Sequence, residues 1–400
     1  MALDFSETAL FADASARTGG LVDFGTEVDY FRDSLRVLID STLLQSQLRD
    51  LGSFREFLLH CLSNRLRIQA CLSNFPEITR VPIHRPTFIS GLPRAGTTTF
   101  SRLIGEDRRV RTLRLWELLS PAPTDLEHPW ALTEDRIAAA ERVVLARARQ
   151  GTLDIRPMSI FLPDECFYLL RNSFNSDHLH RAVARRPTYF SWIGQRSRLG
   201  VYQYYRSQLQ LLLWQRPCPT GGQLVLKNPF VHLENMSAIF ELFPDATLVN
   251  LTRDVTSVLK SLCFKNNADR KAHSDHVDPN VTGADMLENM EVYYQRRAAE
   301  LAKLSPAQRA RVVSIDFDAW AGDPVAIMRR YYQLSEQPFT DEVARAMTRS
   351  LETHRRYGEQ ARYDLAEYGL QEDDLRARLE PYEAAFRSQV TVIDKGSAPR

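Results

Sequence analysis

Short apolar runs alternate with amphipathic stretches along most of the chain, and the first region that they predict is helical. Between residues 26 and 75, apolar side chains such as Phe31, Leu35 and Leu38 recur every three or four positions. This is the spacing of one face of a helix. Prolines then interrupt the pattern before the first strand candidate, residues 87–90. The chain therefore begins with helices and enters a sheet near residue 87.

Four apolar segments have the length and composition of buried strands, at residues 87–90, 224–227, 247–251 and 312–315. Amphipathic segments separate them and predict helices at about 98–106, 133–150, 202–214 and 233–243. Strands that alternate with helices indicate a parallel sheet covered on both faces. We therefore predict an α/β fold, with a central parallel sheet flanked by helices and with added helical segments.

The same pattern indicates how the chain is organised. The apolar fraction of 44% is enough for a large core, in one large α/β domain or two smaller ones. Because the helical segments look like additions to one α/β domain, we expect a single domain over residues 1–400. In this domain, residues 1–80 form a helical N-terminal lead. Residues 85–265 form the central part of the domain, which contains a helical insertion at about 121–222. Residues 310–390 add a C-terminal strand and helices.

The charge balance excludes one broad class of function. The chain has 51 Lys and Arg against 50 Asp and Glu, a formal net charge of +1. A general nucleic-acid binder carries a strong basic excess. We therefore expect no nucleic-acid partner, although a local basic pocket is compatible with this balance.

Cysteine usage and the N-terminal segment predict the cellular compartment. None of the five cysteines forms a C-x-x-C pair, which argues against a disulfide framework or a structural zinc site. The first 20 residues lack the basic segment and apolar core of a secretory signal. No apolar run reaches the length of about 18 residues that a membrane span needs. We expect a cytoplasmic protein without a membrane span.

The segment after the first strand carries the most specific chemistry. Residues 91–99 read Gly-Leu-Pro-Arg-Ala-Gly-Thr-Thr-Thr and have the frame G-x-x-x-x-G of a nucleoside-triphosphate loop. Thr97 replaces the Lys that such loops place next, and the basic group stands earlier, at Arg94. Loop amides, a helix N-terminus and hydroxyls together make an anion cradle. We predict anion contacts from Arg94, Ala95, Gly96, Thr97, Thr98 and Thr99.

Residues 93–98, Pro-Arg-Ala-Gly-Thr-Thr, resemble the 5'-phosphosulfate loop P-[KR]-[ST]-G-T-[ST] of the sulfotransferases that use 3'-phosphoadenosine 5'-phosphosulfate (PAPS). Ala95 departs from the usual Ser or Thr, which removes one hydroxyl contact and keeps the main-chain amide. The resemblance implies a P-loop-like fold in which residues 85–265 are the donor-binding core. It also implies transfer of a sulfuryl group from PAPS to a hydroxyl, with 3'-phosphoadenosine 5'-phosphate (PAP) as the product.

A second segment resembles the 3'-phosphate motif of this family, in which a Ser follows an Arg by eight residues. Arg253 and Ser261 have this separation. Asp254 is of a residue type that caps helices, so Ser261 is expected about two turns along the helix that follows. The resemblance implies that Arg253 and Ser261 hold the 3'-phosphate, the group that distinguishes PAPS from ATP.

Two further segments extend the resemblance to residues 25–390. Residues 226–229, Leu-Lys-Asn-Pro, resemble an L-K-[SN]-P strand end of the bacterial branch of the family, and residues 363–370 resemble its Y-x-L-x-x-[FY]-G-L element. In the resemblance, Lys227 stands beside the bridging oxygen of the donor. A cation there stabilises the charge on the leaving phosphate. Ala361 stands where that branch often has a His, so we assign no role to it.

Sulfuryl transfer also needs a base for the acceptor hydroxyl, and the first candidate is Glu117. It follows Arg94 by 23 residues, and related enzymes with this layout use a Glu a similar short distance past the loop. The neighbouring Trp116 would partly desolvate the carboxylate. A solvated helix glutamate is the alternative interpretation.

Two other base candidates stay open. Glu165 belongs to a Pro-Asp-Glu segment that resembles an element of the bacterial branch, and we also expect it at the acceptor site. His232 follows Lys227 by five residues, near the strand end where cytosolic relatives place a catalytic His. Each residue also has a structural interpretation without a catalytic role. Glu165 is then an acidic residue in the first turn of a helix, and His232 is the residue at which a helix starts.

The acceptor is predicted only by class, as a small-molecule, lipid or glycan compound that carries a hydroxyl group. A partly apolar acceptor is suggested by six aromatic residues that serve equally well as core: Phe161, Phe167, Tyr168, Tyr189, Phe190 and Trp192. His273 and His276 lie in a polar stretch without further clustered ligands, which we interpret as a loop over the acceptor site. We predict no metal.

The sequence leaves the oligomeric state and three alternative functions open. One is a small-molecule kinase with a degenerate phosphate loop, although the sequence lacks a clear acidic strand end to hold a metal. Another is a non-catalytic nucleotide-binding module of the same fold. A third is a sulfotransferase whose product undergoes elimination.

Overall fold

The computed structural model describes residues 3–149, 159–176, 185–354 and 364–394. Within these ranges, six strands form one parallel sheet: β1 Thr87–Gly91, β2 Val110–Thr112, β3 Gln223–Lys227, β4 Thr247–Thr252, β5 Val312–Asp316 and β6 Thr391–Ile393. Their order is β2-β3-β1-β4-β5-β6. The predicted α/β fold with a central parallel sheet is confirmed.

Helices connect the strands and account for much of the rest of the described chain. They are α1 Glu7–Arg17, α2 Phe31–Gln45, α3 Leu51–Asn74, α4 Thr97–Ile104, α5 Leu115–Leu119, α6 Glu134–Arg149, α7 Phe167–Arg171, α8 Pro187–Gly194, α9 Leu199–Gln215, α10 Met236–Leu242, α11 Val255–His273, α12 Pro279–Lys303, α13 Pro306–Arg309, α14 Phe317–Gly322, α15 Pro324–Leu334, α16 Asp341–His354 and α17 Glu372–Arg387. Short 3-10 turns occur at Pro76–Arg80, Leu233–Asn235 and Leu365–Tyr368. Within the described ranges, no helix combines the length and apolar character that a membrane span requires.

The chain divides into two compact units, each built from three segments. The helical unit comprises Met1–Ile83, Leu113–Pro217 and Ala268–Val277, and the sheet unit comprises His84–Thr112, Cys218–Asn267 and Asp278–Arg400. All six strands belong to the sheet unit. The predicted N-terminal lead and most of the predicted insertion lie in the helical unit, and the single-domain organisation stays a prediction.

The sheet unit is organised around strands that are buried on both faces. Every residue of β1 and β3 is buried, as expected for inner strands of a parallel sheet. β1 pairs with β4 over its whole length, from Thr87 opposite Thr247 to Gly91 opposite Leu251. The first strand of the chain is therefore central, and the residues that follow it lie between the ends of two neighbouring strands.

The helical unit has a buried ion pair at its centre. Arg65 and Asp29 are fully buried, and Arg65 Nη1 lies 2.5 Å from Asp29 Oδ2. The guanidinium is stacked against Phe31 and Tyr204, 3.8 and 4.2 Å from their ring centroids. Arg65 also donates to the Asn172 carbonyl at 3.1 Å. One arginine thus connects α2, α3, α9 and the end of α7.

The polar stretch that we interpreted as a loop over the acceptor site is partly helical. Helix α11 continues to His273, and the His273 carbonyl accepts a hydrogen bond from Arg49 N–H at 2.9 Å. Asp275 pairs with Arg49 on the surface, and Asp278 caps α12. The loop interpretation is therefore wrong for the residues up to His273.

Candidate functional site

The loop between β1 and α4 starts at a glycine that the sheet requires. Gly91 has a φ of +106°, and a Cβ atom there would lie 2.2 Å from the Leu251 carbonyl oxygen of β4. Leu92 N–H donates to the same oxygen at 3.0 Å. Only glycine permits this approach, so the loop begins pressed against the neighbouring strand.

The second glycine of the loop sets the start of α4. Gly96 has a φ of +88°, and a Cβ atom there would lie 2.6 Å from Trp320 Nε1. Its carbonyl accepts the first bond of the helix, from Phe100 N–H at 2.9 Å. Arg94 also adopts a positive φ, 65°, which is uncommon for a residue with a side chain and concentrates at functional sites.

The residues of the loop differ in how far they are exposed to solvent. Ala95 and Thr97 are buried, Gly96 and Thr98 are half-buried, and Arg94 and Thr99 are exposed. The loop thus offers a cationic side chain and hydroxyls on its outer surface, while Ala95 faces the interior.

Lys227 meets the loop from the end of β3. Its side chain is buried, and Nζ donates to Thr98 Oγ1 at 3.2 Å. Next to it, Asn228 N–H donates to the Ile89 carbonyl at 2.9 Å, and Ser90 Oγ donates to the Asn228 carbonyl at 3.0 Å. These bonds fix the strand end, and the sheet brings together two residues that are 129 positions apart.

Arg253 meets the loop from the end of β4. Its Nη1 donates to the Arg94 carbonyl at 2.9 Å, and its guanidinium lies 4.2 Å from the centroid of the Phe317 ring. Partial burial, and next the charge of Arg94, lower the pKa of Arg253. Asp254 and Asp318 act in the opposite direction on Arg253, and an anion bound at this loop would relieve the repulsion between the two guanidinium groups.

Helix α11 starts beside Arg253. Asp254 accepts from Ser257 N–H at 2.8 Å and from the Thr256 hydroxyl at 2.7 Å, so it caps the helix as its residue type predicts. Ser261 is half-buried on this helix, about two turns after its start. The helix and the arginine thus share one strand end.

Glu117 is built into the start of α5. The side chain is 2% exposed, and Oε2 accepts from Arg114 N–H at 2.7 Å. Arg216 Nη2 lies 3.3 Å from the same oxygen. Glu117 therefore stabilises the first turn of a five-residue helix and carries its charge next to a guanidinium. The interpretation as a solvated helix glutamate is wrong.

Glu165 belongs to a segment that runs antiparallel to the start of α5. Leu115 N–H donates to the Leu162 carbonyl at 3.1 Å, and Asp164 N–H donates to the Leu113 carbonyl at 3.1 Å. Glu165 itself is half-buried. Two base candidates from distant parts of the sequence therefore lie on paired segments of the helical unit.

His232 lies in the core of the sheet unit. It is fully buried and packs edge-to-face against Phe88, with ring centroids 4.9 Å apart. Burial lowers its pKa to about 3. This environment favours a packing role, and the catalytic role stays a prediction.

Sequence and structure comparisons agree on the family. The Sulfotransferase family matches residues 86–341, which include the loop, Lys227 and Arg253. The chain belongs to the sulfotransferase family. No protein of curated function matches the chain significantly.

Two solved sulfotransferases are similar over nearly the whole chain. STF1 from Mycobacterium tuberculosis H37Rv is 28% identical, with a TM-score of 0.78 over 94% of this chain and 98% of that one. STF9 from Mycobacterium avium is 22% identical, with a TM-score of 0.79 over 98% of this chain and 100% of that one. The similarity to STF9 shows that the two chains share a fold.

The sulfotransferase places the predicted site residues in two groups. The predicted donor residues and His232 belong to the sheet unit, and Glu117 and Glu165 belong to the helical unit. Among the described residues, no group of three or more His, Cys, Asp or Glu is arranged to hold a metal. Tyr363 and Ala361 of the C-terminal resemblance lie outside the described residues.

Most of the six aromatic residues that suggested an apolar acceptor are core residues of this sulfotransferase. The buried ones are Phe167, Tyr168, Tyr189 and Phe190. Trp192 is half-buried against Arg196, and Phe161 is about half exposed, at 51%. Sequence alone does not separate these environments, because core and pocket use the same residue types.

Sequence reasoning missed Phe317 and Trp320 of α14. Phe317 contacts Arg253, and Trp320 leaves no room beside Gly96 for a side chain. The one sequence feature that could have pointed to these two residues is their position just after the predicted strand at 312–315. Parallel strands end at one edge of the sheet, so such residues are candidates for any site at that edge.

Proposed function

We propose that this sulfotransferase moves a sulfuryl group from PAPS to a hydroxyl of a small-molecule, lipid or glycan acceptor by in-line displacement. One observation carries the proposal. Two basic side chains from different strand ends reach the loop after β1, Lys227 through Thr98 at 3.2 Å and Arg253 through the Arg94 carbonyl at 2.9 Å. The family match supports sulfuryl transfer, and these contacts support a donor with two anionic groups.

The proposed donor site assigns a part of PAPS to each element. Arg94 and the loop residues from Ala95 to Thr99 hold the 5'-phosphosulfate, because amides, hydroxyls and a guanidinium all donate to anionic oxygens. Lys227 stabilises the charge that develops on the leaving phosphate. Arg253 and Ser261 hold the 3'-phosphate.

We propose Glu117 as the base and Glu165 as an acceptor-site residue, with His232 as a further base candidate. The base takes the hydroxyl proton while the acceptor oxygen bonds to sulfur. The bond from sulfur to the phosphate oxygen breaks, and PAP leaves. An oriented base contributes roughly 10²–10⁴-fold to such a step.

Calorimetric titration with PAP and with ADP tests the donor assignment. We expect the wild type to bind PAP more tightly than ADP. Arg253→Ala should weaken PAP binding about 10- to 150-fold, because a hydrogen bond to a charged group contributes about 1.5–3 kcal/mol, and should change ADP binding little.

The matched control is Arg378→Ala, which removes a surface arginine of the same unit that pairs with Glu291. It should bind PAP as the wild type does. Equal or tighter binding of ADP by the wild type would contradict the proposal and favour a kinase.

A further inference from the structure

Helix α14 is attached rigidly to the end of β5. Asp316, the last residue of the strand, accepts from Asp318 N–H at 2.9 Å and from Ala319 N–H at 3.2 Å. Its other carboxylate oxygen pairs with Arg387 of α17 at 3.1 Å. The helix therefore starts at a fixed position at the edge of the sheet where β1 and β4 also end.

Two aromatic residues of α14 contact the two parts of the proposed donor site. Phe317 and Trp320 are three residues apart, so they share one face of the helix. Phe317 lies under the Arg253 guanidinium, and Trp320 fills the space beside Gly96 and packs against Phe100 at 5.1 Å between ring centroids. The same helix thus contacts the arginine and the loop.

The Arg253 side chain has several rotatable bonds, so it needs contacts that fix the orientation of its guanidinium. The Arg253 guanidinium contacts the Arg94 carbonyl at 2.9 Å and the Phe317 ring at 4.2 Å. A guanidinium over an aromatic face is attracted to it electrostatically. With its orientation fixed in advance, an arginine loses less entropy when it binds an anion.

We propose that Phe317 is a positioning residue that orients Arg253 toward the 3'-phosphate, and that α14 sets the spacing between Arg253 and the 5'-phosphosulfate loop. This inference rests on the proposed function. Phe317 is then one of the residues that determine why the site prefers a donor with two separated anionic groups.

A double-mutant cycle tests this role with PAP as the probe. Phe317→Leu keeps an apolar side chain and removes the aromatic face, and we expect PAP affinity to fall about 2- to 30-fold. Because Phe317 acts through Arg253, the double variant Phe317→Leu/Arg253→Ala should bind PAP as Arg253→Ala does. Non-additivity of this kind is the signature of two residues that act together.

Phe339→Leu is the matched control. Phe339 is also a half-buried residue of the sheet unit under an arginine, Arg329, 4.7 Å from the ring centroid, and this variant should leave PAP binding unchanged. Thermal unfolding of both Leu variants checks that they fold.

Three results would overturn the inference. They are an unchanged PAP affinity in Phe317→Leu, an equal loss in Phe339→Leu, and additive losses in the double variant, which would make Phe317 a platform for the adenine. Failure of the wild type to bind PAP would instead overturn the proposed function, so the two failures are distinguishable.

Discussion

The sheet unit and the helical unit build their candidate residues in different ways. In the sheet unit, Arg94, Lys227 and Arg253 follow or end strands that are neighbours in one parallel sheet. Strand pairing alone brings them to one edge. In the helical unit, Glu117 stands on a helix of five residues, and its position depends on side chains from other helices.

The C-terminal end of α5 shows this dependence. At its end, the Leu119 carbonyl accepts from Asn64 Nδ2 at 2.9 Å and lies 2.8 Å from His60 Nε2. Arg136 Nε then donates to the Ser120 carbonyl at 3.0 Å. Buried carbonyls need such partners. Pairing of neighbouring strands therefore brings the proposed donor residues together, whereas the proposed base depends on side-chain contacts as well as on the backbone bonds between residues 113–116 and 160–164.

The largest expected effect is a loss of turnover, and it tests the proposed role of Glu117 as the base. Glu117→Gln keeps a side-chain oxygen for Arg114 N–H and removes the charge, so it should lower turnover roughly 10²–10⁴-fold while PAP affinity changes little. The measurement is transfer of ³⁵S-labelled sulfuryl groups to the best acceptor in a panel of phenols, sterols and sugars.

Glu165→Gln and His232→Phe are assayed beside it as the competing candidates. If Glu165→Gln shows the larger loss while Glu117→Gln stays active, Glu117 is a structural residue of α5 and Glu165 becomes the base. If all three variants keep full turnover, none of these residues is the base.

A smaller effect should appear in the stability of the helical unit. Asp29→Ala leaves the buried Arg65 charge without its carboxylate, and loss of one partner of a buried pair costs about 3–5 kcal/mol. Asp275→Ala is its control, since Asp275 pairs with Arg49 at the same distance of 2.5 Å on the surface. Exposed pairs contribute about 1 kcal/mol or less. Urea unfolding measures both, and equal losses would contradict the prediction.

The smallest effect concerns acid stability. Burial lowers the pKa of His232 in the sheet unit to about 3 and that of His60 in the helical unit to about 4, from 6.5. Below pH 6.5 the unfolded chain binds protons that the folded chain does not. Each histidine therefore contributes stability that is complete above pH 6.5 and declines by up to about 1.4 kcal/mol per pH unit on acidification.

Replacement of a buried histidine should remove its share of this decline. Urea unfolding between pH 7.5 and 5 should show a shallower loss for His232→Phe than for the wild type. The exposed His84 provides the control, and His84→Gln should follow the wild type because this ring is not buried on folding. An unchanged slope in His232→Phe would show that this ring is protonated in the folded protein.

The fold was largely predictable because its four longer strands, of five or six residues, are mostly apolar segments bounded by helical patterns. The predicted strands at 87–90, 224–227, 247–251 and 312–315 each end within one residue of the observed strands. The three-residue strands β2 and β6 were missed. Val110–Thr112 has no periodicity of its own, and its pairing with β3 decides its conformation.

The position of Arg94, Lys227 and Arg253 at strand ends was predictable from the sequence, whereas the contacts of Glu165's segment and of Phe317 were not. Motifs around Arg94 and Arg253 lie within single strand-loop-helix units, where local sequence carries the geometry. The pairing of Glu165's segment with α5, and the contact of Phe317 with Arg253, join residues far apart in the sequence. Local patterns contain no information on such contacts, which depend on packing of the whole unit.

The central position of β1 has a consequence for synthesis of the chain. Thr87 of β1 is hydrogen-bonded through its side chain to Gln223 of β3, which follows it by 136 residues, and β4 comes later still. At about 5–20 residues per second on the ribosome, β1 waits roughly 7–30 s for its first strand partner. During this time an apolar strand is exposed to other nascent chains. A high expression level, which raises the concentration of nascent chains, should therefore increase aggregation, and a lower expression level or added chaperones should increase the yield of folded protein.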